Sequence, residues 1–94
     1  MGVAVLGDEE VAQRLEGSRW EREGDAISRE WKLADFAAAM AFVNRVADAA
    51  ETANHHPDIL VHSWNRVRLT LSTHSEGGLT ENDFALARTI DGLS

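Results

Sequence analysis

Proton transfer near neutral pH calls for a side chain that titrates there, and the unperturbed imidazole, at about 6.5, is the one that does. The 94-residue chain has four histidines, His55, His56, His62 and His74, and no cysteine. Two of the four are adjacent, held in the run Asn54-His55-His56-Pro57 against the only proline of the chain. Proline biases the residue before it toward extended backbone angles, so His56 has a restricted direction. Neighbours in a regular strand point to opposite faces, so His55 and His56 can share a site only where the chain bends.

Two carboxylates stand at spacings that could serve these rings. Glu51 precedes His55 by four residues, on the same helical face if the helix reaches that far. A histidinium there would offset the unfavourable meeting of a carboxylate with the helix C-terminus; the alternative is an ordinary solvated glutamate. Asp83 follows His74 by nine residues. It can orient His74 and favour its imidazolium, or serve only its own helix. His74 lies where a strand opens into a double glycine, a setting that often carries functional side chains. His62 falls mid-strand, in a solvated or partner-facing position. Three histidines could also hold zinc with an open fourth position. Adjacent rings converge poorly on one ion, however, and neither His-x-His nor His-Glu-x-x-His spacing is present, so no metal ligand is assigned.

The elements that position these residues are legible from periodicity. Asp8–Leu15 reads as a short helix with acidic residues in its first turn and Gly17 beyond its end. A hairpin follows, its turn at Gly24-Asp25 and its large apolar residues Trp20, Ile27 and Trp31. A long helix runs from an Asp35 N-cap to about Ala53, with Phe36, Met40, Val43, Val46, Ala47 and Ala50 as its apolar stripe. Residues 58–64 and 66–74 form two more strands about a turn at Asn65-Arg66. The second alternates, with Val67, Leu69 and Leu71 on one face. Thr80 and Asp83 make a capping pattern, and Leu79 and Phe84 a hydrophobic staple, for a last helix. The order α-β-β-α-β-β-α predicts an α+β fold, a four-stranded antiparallel sheet with helices packed on one face. No linker or repeat divides the chain, which reads as a single domain over residues 1–94.

Composition removes several classes of function. Nine basic residues face sixteen acidic ones, for a formal charge of −7, with no Lys/Arg cluster; nucleic acid and anionic membrane are poor partners. The apolar run from Phe36 to Val43 is too short to span a bilayer. The N-terminal residues lack a basic segment and turn acidic at once, so a cytoplasmic protein is expected. Without cysteine there is no disulfide or thiolate chemistry.

From about Trp20 to Ala87 the chain resembles the pterin-4a-carbinolamine dehydratase family. The resemblance rests on the segments "NHHPD" at 54–58, "LSTH" at 71–74 and "GGLTENDFALA" at 77–87, in that order. It implies the same antiparallel sheet with helices on one side. It also implies an enzyme that dehydrates 4a-hydroxytetrahydropterin to quinonoid dihydropterin, regenerating the pterin used by an aromatic amino acid hydroxylase, with no cofactor or metal. The resemblance places catalytic roles on His55, His56, His74 and Asp83, with Glu51 supporting. It places substrate contacts on His55, His56, Pro57, Thr73, His74, Ser75 and Glu76, and an aromatic wall near Trp64. The chain departs from mammalian members by one extra residue between Asp58 and Thr73, which a β-bulge could absorb, and by an aliphatic Ile59 where they carry an aromatic residue.

That chemistry asks for an acid at the departing hydroxyl and a base at N5, and histidine can be either. The expectation is that His56 and His74 carry the two protons while His55 positions the pterin. The alternative is a non-catalytic binding and dimerisation module, since some family members partner a transcription factor; an exposed apolar helix face, with Phe42 and Leu93 as candidates, would mark it. An edge strand in so small a sheet invites a second copy, so a homodimer or homotetramer is expected.

Overall fold

Strict alternation makes the strand Arg66–Leu71 the centre of the molecule. Val67, Leu69 and Leu71 are fully buried, while Arg66, Arg68 and Thr70 face the other way. The computed structural model describes residues 3–94. In chain order the elements are α1 (Asp8–Leu15), β1 (Glu21–Glu23), β2 (Ala26–Lys32), α2 (Phe36–Ala53), β3 (Asp58–His62), β4 (Arg66–Leu71), a 3₁₀ turn (His74–Glu76) and α3 (Glu81–Asp91). The strands form one antiparallel sheet in the order β1-β2-β4-β3. The predicted order and architecture are both present. Among the described residues no helix is long and apolar enough to cross a membrane.

The inner face of the sheet meets the helices in one core. Ile27 and Trp31 of β2 join the three apolar residues of β4, and Phe42, Val46 and Ala50 of α2 and Phe84, Leu86 and Ile90 of α3 cover them. Trp31 stacks at a tilt on Phe42, ring centroids 4.9 Å apart, and edge-on to Trp20 at 5.7 Å. Trp20 Nε1 donates to Asp91 Oδ1 at 2.8 Å, tying the start of the hairpin to the end of α3.

The buried side of α2 keeps Val46 and Ala50 of the predicted stripe but is turned toward Ala39 and Phe42. Ala39, Phe42, Val46 and Ala50 are inside, whereas Phe36 is 55% exposed, Met40 37%, and Ala47 is exposed as well. Both rows obey the spacing of three and four residues, so periodicity alone cannot choose between them. The sheet chose the row with the large flat ring of Phe42, which fits against Trp31. Phe42 is therefore core and no part of an exposed face, and Leu93 is half-buried against the core.

The connection between β3 and β4 turns at residues 63–65, ahead of the predicted Asn65-Arg66, and the two strands end at His62 and Leu71 rather than at 64 and 74. Ser63 and Trp64 take positive φ values of 49° and 55°. Asn65 is buried, its Nδ2 donating to Leu33 O at 3.0 Å. The β3–β4 ladder pairs without interruption from Asp58↔Thr70 to His62↔Arg66, so no bulge interrupts it.

Candidate functional site

The bend that the histidine pair requires lies at Asn54. This residue ends α2 in the left-handed conformation (φ 50°, ψ 43°), which asparagine tolerates better than most side chains. Its N–H donates to Glu51 O at 3.2 Å, and the N–H of His55 reaches back to Ala50 O at 3.1 Å. This double bond pattern is the Schellman motif, which satisfies the last carbonyls of the helix and turns the chain sharply. Pro57 then leads the chain into β3. The motif thereby gives the two neighbouring imidazoles different surroundings.

His55 turns inward. Its Nε2 lies 2.6 Å from Asp83 Oδ1, with 14% of the His55 side chain exposed and none of Asp83. Asp83 is the third residue of α3, and its other oxygen, Oδ2, accepts from Thr80 N at 2.9 Å and from Thr73 Oγ1 at 2.8 Å. Thr80 Oγ1 accepts in turn from Asn82 N at 3.2 Å, completing the capping box predicted for this helix. A buried carboxylate is costly unless its oxygens are bonded; here three donors and the helix N-terminus surround it. Asp83 thus does two jobs, but the ring it holds is His55 and not His74 as the spacing had suggested.

His56 turns outward. Its Nε2 lies 2.5 Å from Glu51 Oε2, both side chains being mostly exposed. Glu51 therefore serves His56 rather than His55. The helical spacing of four does not apply, because the left-handed Asn54 intervenes and swings the chain past the face on which that spacing depends.

His74 opens the 3₁₀ turn after β4, exposed, with its Nε2 3.3 Å from Ser72 Oγ. It lines a cavity of about 260 Å³ together with Asp25, Ala26, Gly77 and Gly78. Ser75 and Glu76 are exposed on the same turn, and Pro57 is half-buried. Thr73 is buried and its hydroxyl is committed to Asp83, so like His55 it directs its side chain to the interior.

Antiparallel register relates the two segments. Carrying the pairing Asp58↔Thr70 back toward the start of β3 sets His56 across from Ser72 and His55 across from Thr73. The joint bonding of His55 and Thr73 to Asp83 agrees with that placement. One end of the sheet therefore gathers His55, His56 and His74 with Glu51 and Asp83. Trp64 is not part of this group: it is 62% exposed in the turn beyond the opposite end of β3, with a five-residue strand between. Among the described residues no three His, Asp or Glu side chains cluster as ligands of a metal ion.

Sequence reasoning treated Thr80 only as a cap and Ser72 only as an outward-facing strand residue. The capping pattern was the available signal for Thr80, since a residue that fixes Asp83 also fixes whatever Asp83 holds. A larger concavity, about 420 Å³, lies between α2 and α3 and includes Ala49, Ala53, Leu86 and Leu93, but no histidine. His62 sits on the outer face of the sheet, its Nε2 2.7 Å from Glu30 Oε1, with Arg66 3.3 Å from the same carboxylate. The His62 hydrogen bond, followed by Arg66, holds the Glu30 carboxyl below its ordinary value.

Known proteins are similar to this chain over nearly its whole length. Residues 4–93 match the family model described as pterin 4 alpha carbinolamine dehydratase. A Thermomicrobium roseum protein named "putative pterin-4-alpha-carbinolamine dehydratase" is 52% identical, the match covering 98% of this chain and 99% of that one. A Nocardia farcinica protein of the same name is also 52% identical, over 100% and 99%. Among solved structures, a transcriptional coactivator/pterin dehydratase from Brucella melitensis superposes with a TM-score of 0.89 at 35% identity, covering 96% of this chain and 98% of its own. The chain belongs to the pterin 4 alpha carbinolamine dehydratase family.

Proposed function

We propose that the protein dehydrates 4a-hydroxytetrahydropterins to quinonoid dihydropterins. The observation that carries this reading is that His55 and His56, bonded to Asp83 and Glu51, precede β3 at the same end of the sheet at which His74 follows its antiparallel neighbour β4. In the reaction the C4a–O bond breaks and the hydroxyl leaves as water after gaining a proton. The N5–H bond gives up its proton, and its electron pair closes the C4a=N5 double bond. No oxidant, nucleophile or cofactor enters the balance.

His56 and His74 are the exposed rings, accessible to a substrate resting on this surface, and they carry the two protons. Glu51 steadies His56 through its Nε2. His55, largely covered and fixed by Asp83, is suited to orienting the pterin. General acid–base catalysis contributes roughly 10²–10⁴-fold, or about 3–5 kcal/mol, and the carbinolamine already collapses slowly unaided. The demand and the equipment match.

The chemistry places the enzyme after a hydroxylase that leaves pterin-4a-carbinolamine, working in the cytoplasm. Exposed Ile59 and Leu60 on the edge strand β3 support pairing with a second copy, to be checked by light scattering. The test of function is the rate of quinonoid dihydropterin formation from freshly generated 4a-carbinolamine, followed by ultraviolet absorbance. Acceleration well above the spontaneous rate is expected. Folded protein that produces none would overturn the reading and favour a protein-binding module, for which the exposed Phe36 and Met40 on α2 offer an apolar surface.

A further inference from the structure

We infer that Thr73 and Thr80 are positioning residues that hold His55 in a single tautomer, presenting its bare Nδ1 to accept a hydrogen bond from an N–H of the pterin. The substrate part of this inference rests on the dehydratase reading; the tautomer does not.

The direction of each bond follows from counting protons. An aspartate carboxylate only accepts. The single proton of the Thr73 hydroxyl is therefore given to Asp83 Oδ2, 2.8 Å away. The contact between Thr73 Oγ1 and Thr80 Oγ1, also 2.8 Å, must then use the proton of Thr80. Thr80 Oγ1 in turn accepts from Asn82 N–H at the first turn of α3. The chain runs one way, from backbone amide to Thr80 to Thr73 to Asp83.

That polarity decides what Asp83 offers to His55. Oδ2 is filled by Thr73 and by Thr80 N–H, which leaves Oδ1 facing the imidazole at 2.6 Å. A bare Nε2 there would set lone pair against lone pair, so Nε2 carries the proton. Neutral imidazole has one N–H, and Nδ1 is left as an acceptor. Among the described residues Nδ1 has no partner, and it is not among the enclosed unbonded atoms, so it opens to solvent. The pterin ring system carries several N–H donors, and a fixed acceptor beside His56 would select its orientation.

Burial makes the device rigid. Thr80 and Asp83 are completely covered and Thr73 nearly so, which excludes water as a substitute partner for any of the three. Removing the Thr73 hydroxyl takes away one of the donors that orient Asp83, and removing that of Thr80 takes away the proton that directs the Thr73 hydroxyl toward Asp83, so Oδ1 is held less firmly against His55 and the ring can exchange tautomers.

The test is ¹⁵N spectroscopy of the His55 ring at a pH where it is neutral, in wild type, Thr73→Val, Thr80→Val, Thr73→Ser and Thr80→Ser. Wild type is expected to show a protonated Nε2 and a bare Nδ1, the valine variants a mixture, and the serine variants a return to the wild-type pattern. An Nδ1–H or mixed ring in wild type would overturn the inference. So would valine variants, shown to be folded by unchanged His62 signals, that keep one tautomer. Should the valine variants not fold, the wild-type spectrum still decides the tautomer, and Thr73→Ala and Thr80→Ala take their place as the variants without the hydroxyl. In the dehydration assay the valine variants should lose about 10- to 100-fold in turnover, with serine restoring it. A protein without dehydratase activity would void that kinetic arm alone and leave the spectroscopic result standing.

Discussion

His55 and Asp83, 28 residues apart, are joined by a 2.6 Å hydrogen bond through a carboxylate that also caps the helix on which it sits. One side chain thus couples the start of β3 to the N-terminus of α3. Asp83→Ala strands the Thr80 amide and the Thr73 hydroxyl in the interior. Loss of a cap together with buried donors left unpaired should cost roughly 2–4 kcal/mol. Glu51→Ala removes a chemically similar partner from the exposed His56 and should cost under about 0.5 kcal/mol. Urea unfolding of the two variants compares them directly; equal costs would mean that burial is not what sets the difference.

His56→Ala and His74→Ala should each lower turnover about 100-fold or more while leaving stability within about 0.5 kcal/mol of wild type, because both rings are exposed. Activity and unfolding measured on the same preparations separate the two effects. Parallel losses would reassign these histidines to structure.

Phe42→Ala should destabilise by about 3–5 kcal/mol, since the ring is wholly buried against Trp31. Phe36→Ala, six residues earlier on the same helix, should change monomer stability by less than about 0.5 kcal/mol. Denaturant midpoints at low protein concentration test this. A large loss at Phe36 that grows with protein concentration would show that a second copy covers it.

Acid should weaken the fold through three surface carboxylates. Glu30 is held below its ordinary value of 4.5 mainly by His62, Glu23 mainly by Ser28 with Arg68 in support, and Glu81 mainly by Arg88 with Arg14 in support. Each binds its proton less readily folded than unfolded. The stability they contribute is therefore present above pH 4.5 and lost as pH falls through the lowered folded values. Urea midpoints should hold steady from pH 7 to pH 5 on this account and drop below about pH 4.5. The triple variant Glu23→Gln, Glu30→Gln, Glu81→Gln should show a shallower drop, and a curve parallel to wild type would remove these groups from the explanation. Glu23 and Glu30 are exposed and Glu81 partly so, and added salt should shrink the difference.

Local chemistry was enough to mark most of the elements. The two-residue alternation of Val67, Leu69 and Leu71 marked β4, and Thr80 with Asp83 marked the start of α3, because strand pleat and helix capping depend only on a few neighbouring residues. The same short range explains why the histidine pair could be located at a bend past a helix end. The family motifs at 54–58, 71–74 and 77–87 carried the functional reading with them.

Pairings across the chain were decided elsewhere. Nothing within a few residues of His55 says that its partner is Asp83, nor that Glu51 faces His56. The second follows from the left-handed Asn54 at the end of α2, and the first from the packing that brings Asp83 of α3 against both His55 and Thr73. The buried row of α2 is a third case. Ala, Phe, Met and Val surround much of that helix, so the residues alone permit two overlapping apolar stripes about 60° apart that share Val46 and Ala50, and only packing against Trp31 and β4 selects the one containing Phe42. What the sequence determines by itself is what each segment becomes. Which side chains then meet depends on how strands far apart in the chain are aligned, a choice made by burying the whole sheet at once.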